Sequence, residues 1–261
     1  MKKNILFIFG LMAALPGQAQ DKGSALIECI YESRYITDTT AAAMSPDGTL
    51  RSGDDAYIAD DSMVLHCGGT ISFFYNIKAD TAYNSQIAGR LSDFKVYKDF
   101  EDNTVSMVDK VGLEWLRATE KIPDFKWQIQ DEWKEIAGYK VRKATCDFRG
   151  RSYVAWYAPD VPVPDGPWKF CGLPGLIFEV YDVPCQYYYC LTGIQEKKTE
   201  VEYMDVHFID TGLKRFYRNR RMYLEDPISY LSATYGGPIN YSGSPEELKN
   251  KLGYDFQEID F

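Results

Sequence analysis

The hydrophobic and polar positions of the chain alternate with a period of two over much of its length. Near the N-terminus the residues Ile27, Cys29, Tyr31 and Tyr35 alternate with the charged residues Glu28, Glu32 and Arg34. Such alternation predicts strands with one packed face and one wet face, as in an antiparallel sheet. The expected packed residues of further strands are Ile71, Phe73, Tyr75, Ile77, Phe94, Val96, Val105, Met107, Trp127, Ile129 and Trp133, with another strand at 187–191. We expect roughly nine or ten strands.

Polar breaks between these stretches are the expected hairpin connections. They are Glu101-Asp102-Asn103, Phe148-Arg149-Gly150-Arg151 and Asp182-Val183-Pro184. Turn-forming and polar residues at such breaks favour a chain reversal between neighbouring strands. Residues 37–55 are rich in small and polar residues and are expected to form a loop within the same domain.

Helical spacing appears only towards the C-terminus. The apolar residues Leu213, Phe216 and Leu224 follow Thr211, a suitable N-cap, so we expect a helix over 212–225. A second, shorter helix is expected from Ser244 to Gly253, because it has an N-cap serine, an early proline and a closing glycine. The predicted fold class is mainly β (β-rich α+β). We expect a curved antiparallel sheet or incomplete barrel wrapped around helix 212–225, with one or two C-terminal helices.

The first nineteen residues have the pattern of a secretory signal peptide. Two lysines precede the apolar run 5–15, and Pro16-Gly17-Gln18-Ala19 supplies small residues before a cleavage point. Eleven residues rise only about 16 Å as a helix, which is too short to span a bilayer. We therefore expect a signal peptide at 1–19, a single β-rich domain at 20–261, and a soluble, exported protein that is most simply placed in the periplasm.

The chain is acidic, with 29 basic and 38 acidic residues and a net charge of -9. Loss of Lys2 and Lys3 with the signal peptide would leave 27 minus 38, or -11. Nucleic-acid partners usually need a basic surface, so we expect none.

Six cysteines would survive processing, and in an oxidising compartment they allow up to three disulfides. These candidates are Cys29, Cys67, Cys146, Cys171, Cys185 and Cys190. Cys29 and Cys67 are the first pair to test, because each lies in a strand-like stretch near the start of the fold. No Cys-x-x-Cys pair occurs, and we expect neither a metal nor a cofactor.

A proline-rich segment precedes the most distinctive motif. Four prolines lie between 159 and 167, which predicts a stiff, extended crossing between two strands. Gly172-Leu173-Pro174-Gly175-Leu176-Ile177 follows, with Pro174 and Gly175 suited to a type II turn before a strand at 176–180. The hexapeptide is expected either to be a structural turn that packs its leucines and isoleucine, or to form part of a binding rim.

This hexapeptide resembles the name-giving motif of the GLPGLI family, exported proteins of two-membraned bacteria. Other similar blocks are Asp61-Ser62-Met63-Val64-Leu65, Ser72-Phe73-Phe74-Tyr75, Gly138-Tyr139-Lys140, Ala155-Trp156-Tyr157, Gly166-Pro167-Trp168-Lys169-Phe170 and the basic stretch 212–230. The resemblance implies export and a β-rich fold. It implies no activity, since the family has none established, and no disulfide pattern.

Candidate chemistry is sparse. The chain has no convincing match to a serine elbow, a zincin motif, a phosphate loop or a dinucleotide glycine pattern, so no catalytic residue is assigned. A His66/Cys67 dyad would need a reduced thiol in an oxidising space. Arg149 and Arg151 flank Gly150 and could bind a carboxylate or phosphate, or could simply form a polar turn. With Trp156, Trp168 and Lys169 they are the candidate binding residues.

Five cations fall within eight residues of the predicted helix 212–225. They are Lys214, Arg215, Arg218, Arg220 and Arg221. They could meet lipid phosphates or an acidic partner. The alternative is a solvated helix surface, because a period of 3.6 residues spreads side chains around the helix.

Three functions stay open. The leading hypothesis is a non-enzymatic periplasmic protein that binds an apolar or amphipathic ligand or assists an outer-membrane receptor. The second is a hydrolase or redox enzyme whose site would need Arg149, Arg151, Asp165 and Lys169 together in one pocket. The third is a structural envelope protein that contacts other proteins through a long, unprotected sheet edge.

Overall fold

The computed structural model describes residues 24–36, 43–44, 50–51, 58–77, 94–204 and 206–239. The expected signal peptide at 1–19 and the expected helix from Ser244 to Gly253 lie outside the described residues, as does most of the expected loop at 37–55.

One twelve-stranded sheet dominates the structure. The strands are β1 (Ser24–Ile36), β2 (Ala43–Met44), β3 (Leu50–Arg51), β4 (Ile58–Cys67), β5 (Ile71–Asn76), β6 (Lys95–Asp99), β7 (Thr104–Val111), β8 (Glu114–Lys121), β9 (Gln128–Ile136), β10 (Tyr139–Phe148), β11 (Arg151–Ala158), β12 (Leu176–Asp182), β13 (Tyr187–Glu200) and β14 (Phe208–Asp210). Their order is β14-β8-β7-β6-β5-β4-β1-β13-β12-β11-β10-β9, and β2 and β3 form a separate two-stranded sheet. All pairs are antiparallel except β14 with β8. The β-rich fold class is thus confirmed, although the strand count was too low, and the sheet does not close into a barrel.

The expected hairpin connections are confirmed where the chain reverses. Residues 100–103 join β6 to β7, residues 149–150 join β10 to β11, and residues 183–186 join β12 to β13. The alternation also gives the correct packed face in β1, where Cys29 and Tyr31 are fully buried. These strands form because their turn chemistry and their period of two agree.

The predicted packed face of β5 is wrong. Ser72, Phe74 and Asn76 are buried, whereas Phe73 lies on the half-buried opposite face. There the Phe73 ring stacks on Tyr97 at a centroid distance of 4.4 Å. Both faces of β5 are therefore covered, and apolar alternation cannot identify the inner face of such a strand.

The predicted packed face of β9 is also wrong. Trp127 lies in the connection before the strand, while the side chains of Ile129 and Trp133 are 44% and 45% exposed. β9 is the last strand in the sheet order, and about half of each of these two side chains is exposed within the described part of the chain.

We refer to residues 159–175, which join β11 to β12, as the crossing segment. It covers one face of the sheet and is the crossing between two strands that the prolines predict. Lys98 of β6 donates a hydrogen bond to the carbonyl of Gly166 at 2.7 Å. The indole Nε1 of Trp127 donates to the carbonyl of Cys171 at 2.9 Å. β6 and the connection that leads into β9 are far apart in the sheet order, yet both contact this segment, because the sheet curves around it.

Helix α1 (Leu213–Glu225) confirms the expected helix. It packs against β7 and β8, and its Phe216 and Tyr217 belong to the same buried core as Phe170 of the crossing segment. Thr211 is not the N-cap, because its backbone N–H bonds to the carbonyl of Arg117 in a continuation of the β14–β8 ladder. Gly212 takes the N-cap position without a side-chain hydrogen bond.

Helix α2 (Pro227–Tyr235) was not predicted. Asp226 is its N-cap and accepts a hydrogen bond from the Ser229 N–H at 3.0 Å, and Pro227 stands at the first helical position. The same Asp226-Pro227 pair that ends α1 therefore begins α2. Neither helix is long and apolar enough to cross a membrane, and the described residues contain no other helix that is.

Candidate functional site

Arg149 and Lys169 meet at one carboxylate. Arg149 Nη1 donates to Glu120 Oε1 at 3.1 Å, and Lys169 Nζ donates to the same oxygen at 2.7 Å. Burial raises the pKa of Glu120, but the two cations outweigh this effect and hold it below its usual value. Glu120 lies on β8, so this cluster joins a strand near one side of the sheet to the β10–β11 turn near the other.

Arg151 lies in a different ion pair. Its Nη1 donates to Asp182 Oδ2 at 2.6 Å and to Gln186 Oε1 at 2.7 Å. The backbone N–H of Tyr187 donates to the second Asp182 oxygen at 2.8 Å. Burial raises the pKa of Asp182, and these contacts only partly offset it. The group anchors the β12–β13 turn to β11.

Asp165 belongs to a third pair. Its carboxylate forms an almost fully buried ion pair with Lys98, and Oδ1 also accepts the Gly166 N–H at 2.8 Å. The structure therefore divides Arg149, Arg151, Asp165 and Lys169 among three ion-pair groups. Arg149 and Lys169 share one carboxylate, whereas Arg151 and Asp165 each have another ion-pair partner.

The two candidate tryptophans are packed in different places. Trp168 is buried edge-on against Phe148 and Phe170, at centroid distances of 6.1 and 5.0 Å. Trp156 is buried with Lys134 Nζ 4.4 Å from its ring centroid. Both rings stabilise the fold, and neither is presented openly to a ligand.

The hexapeptide at 172–177 is a packed turn. Leu173, Leu176 and Ile177 are buried, and β12 begins at Leu176 as expected. The predicted type II turn is wrong, because Gly175 has φ +155°, outside the range of that turn, and its N–H bonds to the Leu173 carbonyl at 2.8 Å. Gly175 instead lies so close to Ala158 that a Cβ would be 2.2 Å from its carbonyl oxygen.

Among the six cysteines, all of which are thiols, the structure brings Cys29 and Cys67 together. Cys29 pairs in register with Leu65 and Cys67 with Ile27 on the neighbouring strand, so the two side chains share one buried face. A hydrogen bond with Cys29, followed by burial, raises the pKa of the Cys67 thiol. Burial likewise raises the pKa of Cys146 to about 12 and that of Cys171 to about 11.

His66 does not form a dyad with Cys67. Its Nε2 lies 2.9 Å from Glu28 Oε2, and Gln195 donates to the other Glu28 oxygen at 2.6 Å. Burial raises the pKa of Glu28, but bonds from Lys197, His66 and Gln195 outweigh it and lower the pKa to about 2. Within the described ranges, no group of three histidine, cysteine or acidic side chains could hold a metal ion.

The open edge of β9 is the feature that sequence reasoning missed. In the described part of the chain, β10 is the only strand that pairs with β9. The register shifts between Arg142 and Ala144, where 130–132 bulge out opposite a single residue of β10. In the sequence, the turn Ala137-Gly138 and the charged residues beside it mark the end of this strand. They do not distinguish an edge strand from an inner one.

Comparisons with known proteins agree with this architecture. Residues 149–179 match the Porph_ging family. That family is described as proteins of unknown function, and the match confirms the resemblance to GLPGLI-type proteins. The Porph_ging segment contains the turn at 149–150, β11, the crossing segment and the hexapeptide. No curated protein matches the sequence.

Solved structures of PNGF-II share the fold. A C2 crystal form has a TM-score of 0.53 at 14% identity and covers 75% of this chain and 32% of that chain. A P21 form has a TM-score of 0.55 at 13% identity, with coverages of 74% and 33%. The chain thus spans about a third of PNGF-II, and at this identity the likeness concerns the fold alone.

Proposed function

We propose that the protein is exported to the periplasm and acts there by binding another envelope protein, which adds a strand to the open edge of β9. This is the accessory or structural role among the three hypotheses, and it needs no catalytic residue.

The exposed edge of β9 is the observation that carries the proposal. β9 has nine residues, and its apolar residues Ile129 and Trp133 are about half exposed although their alternation is that of a packed strand. An unpaired strand edge offers a row of backbone donors and acceptors to an extended peptide. The partner would therefore be an extended segment with an apolar side chain able to cover Trp133.

The hairpin defines which part of the edge is available. Ile136 pairs with Tyr139 across the two-residue turn Ala137-Gly138, so alternate residues of β9 bond to β10. This alternation directs the backbone N–H groups of Trp133 and Glu135 away from β10. The bulge at 130–132 interrupts the edge, which limits regular pairing to about 133–136 and disfavours indiscriminate pairing.

The described residues give less support to the two competing functions, which are binding of an apolar ligand and catalysis. The crossing segment packs against the curved sheet with Trp168, Phe170 and Leu173 buried, which does not favour an apolar ligand held there. The enzyme hypothesis predicted one cluster of four polar residues, and these lie in three separate ion-pair groups.

The proposal of export rests on the signal-peptide pattern at 1–19. In the oxidising periplasm the buried thiols of Cys29 and Cys67 would form a disulfide. In that reaction each thiol loses a proton, the pair loses two electrons, and a disulfide of a periplasmic oxidant is reduced to two thiols. The contact between the two side chains supports this pairing over the other connectivities.

Site-specific photo-crosslinking in the native host tests the binding function. A photo-reactive residue at Trp133 should give a discrete adduct with one protein, and the same residue at the exposed Asp160 should not. Glu135→Pro removes the outward N–H at a position where an edge strand tolerates proline, so it should abolish the adduct. Glu135→Ala, which keeps that N–H, should retain it. An adduct that persists in the proline variant, or the same adduct from both positions, would contradict strand addition.

A further inference from the structure

Helix α1 separates its five cations onto two sides. Arg220 turns inward, where its Nε donates to Asp109 Oδ2 at 2.6 Å and both side chains are buried. The other four, Lys214, Arg215, Arg218 and Arg221, are exposed. At 3.6 residues per turn these four lie within an arc of about 120°. All five cations together do spread around much of the helix, because Arg220 lies apart from the rest, and we refer to the other four as the basic face.

The four cations of the basic face do not serve to stabilise helix α1. The first turn of α1 has no acidic residue, and the N-cap Gly212 makes no side-chain hydrogen bond. Cations near a helix N-terminus are unfavourable, because the backbone dipole is positive there. Lys214, Arg215 and Arg218 form no ion pair with any carboxylate among the residues that the structure describes. Glu225 is the one acidic residue of α1, at its far end.

We propose that the basic face of α1 binds an anionic phospholipid surface. Lys214, Arg215 and Arg218 would contact headgroup phosphates, with Arg221 beside them. Met222 lies in the same arc, is 51% exposed, and could reach the apolar boundary below the headgroups. Clustered cations beside an exposed apolar side chain on one helix face are the features of a helix that lies in a membrane interface.

The net charge of -9 does not oppose this binding at short range. Charges more than about 8 Å apart are largely screened at physiological ionic strength. The four cations of the basic face therefore dominate the interaction once α1 is near the membrane. An acidic protein would satisfy the cations equally well, but it gives no reason for an exposed methionine among them.

Vesicle flotation tests the proposal with the purified protein. Vesicles of equal parts phosphatidylglycerol and phosphatidylcholine should bind it, and vesicles of phosphatidylcholine alone should not. Arg215→Ala/Arg218→Ala should weaken binding on the order of fivefold for each arginine removed. Lys121→Ala/Lys126→Ala removes the same charge from exposed positions elsewhere and should bind as the unaltered protein does.

Further variants and a soluble acidic polymer distinguish a lipid surface from an acidic protein. Met222→Ser should weaken vesicle binding without changing binding to soluble polyglutamate. Equal binding to both vesicle types, or equal losses in the two double variants, would overturn the proposal. Retention on polyglutamate without vesicle binding would also overturn it and favour an acidic protein. Glu135→Pro should bind vesicles normally, so this proposal and the one for β9 can fail separately.

Discussion

Lys98 on β6 donates a hydrogen bond to the carbonyl of Gly166 at 2.7 Å and so fastens the crossing segment to the sheet. The same ammonium group bonds to the carbonyl of Phe170 at 3.3 Å and pairs with the Asp165 carboxylate. All of these groups are buried. Lys98 thus supplies a positive charge to the buried Asp165 carboxylate and hydrogen-bond donors to two buried carbonyls of the crossing segment.

Lys98→Met should destabilise the protein by about 3 to 5 kcal/mol, because it leaves the Asp165 carboxylate buried without a cation. Urea denaturation measures this change. Lys126→Met, at an exposed position, should change stability by less than about 0.5 kcal/mol. A loss below about 1 kcal/mol at Lys98 would mean that the lysine is not essential to the packing of the segment.

The two glycines of the hexapeptide should respond differently to alanine. At Gly175 a Cβ would lie 2.2 Å from the Ala158 carbonyl oxygen, so Gly175→Ala must displace backbone. At Gly172, where φ is +89°, a Cβ would meet no atom within 4 Å, so Gly172→Ala should cost only about 1 kcal/mol of conformational strain. Melting temperatures of the two variants give the comparison. Equal losses would show that the close approach at Gly175 is not what requires glycine.

Glu28 should make the protein sensitive to acid. Its pKa falls from the usual 4.5 to about 2 in the folded protein, so its contribution to stability is present above the unfolded value and is lost as the pH falls towards 2. The full shift corresponds to about 3 kcal/mol, and solvent screening of the ion pair reduces it, so Glu28→Gln should lose on the order of 1 kcal/mol less stability than the unaltered protein between about pH 5 and pH 2. Denaturant midpoints across this range test the difference. Parallel pH profiles would assign the acid sensitivity to other carboxylates.

Thiol titration tests both the cysteine pair and the oxidising compartment. Protein isolated from the periplasm without reductant and then denatured should show 6 minus 2, or 4, free thiols, rising to 6 after reduction. Cys29→Ser/Cys67→Ser should show 4 thiols before and after reduction. Since the bond would close a loop of roughly 38 residues, reduction should lower stability by about 3 to 4 kcal/mol. Six thiols in the untreated protein would contradict the disulfide.

The sequence predicts the strands better than it predicts their surroundings. Local alternation and turn chemistry are sufficient for β1, β6, β7 and β12, because both act between near neighbours. The predictions of the packed face are wrong for β5 and β9. The stacking of Tyr97 on Phe73 and the exposure of Trp133 depend on how distant parts of the chain come together, which local alternation does not show. Ion-pair partners such as Glu120 for Arg149 are distant along the chain, and no local pattern indicates them.

Amide hydrogen exchange tests directly whether a partner adds a strand at β9. Once crosslinking has identified the partner, exchange is measured on the purified protein with and without it. The partner should slow exchange at Trp133 and Glu135, whose N–H groups point away from β10, by at least about tenfold. Unchanged exchange at both amides under saturating partner would contradict strand addition.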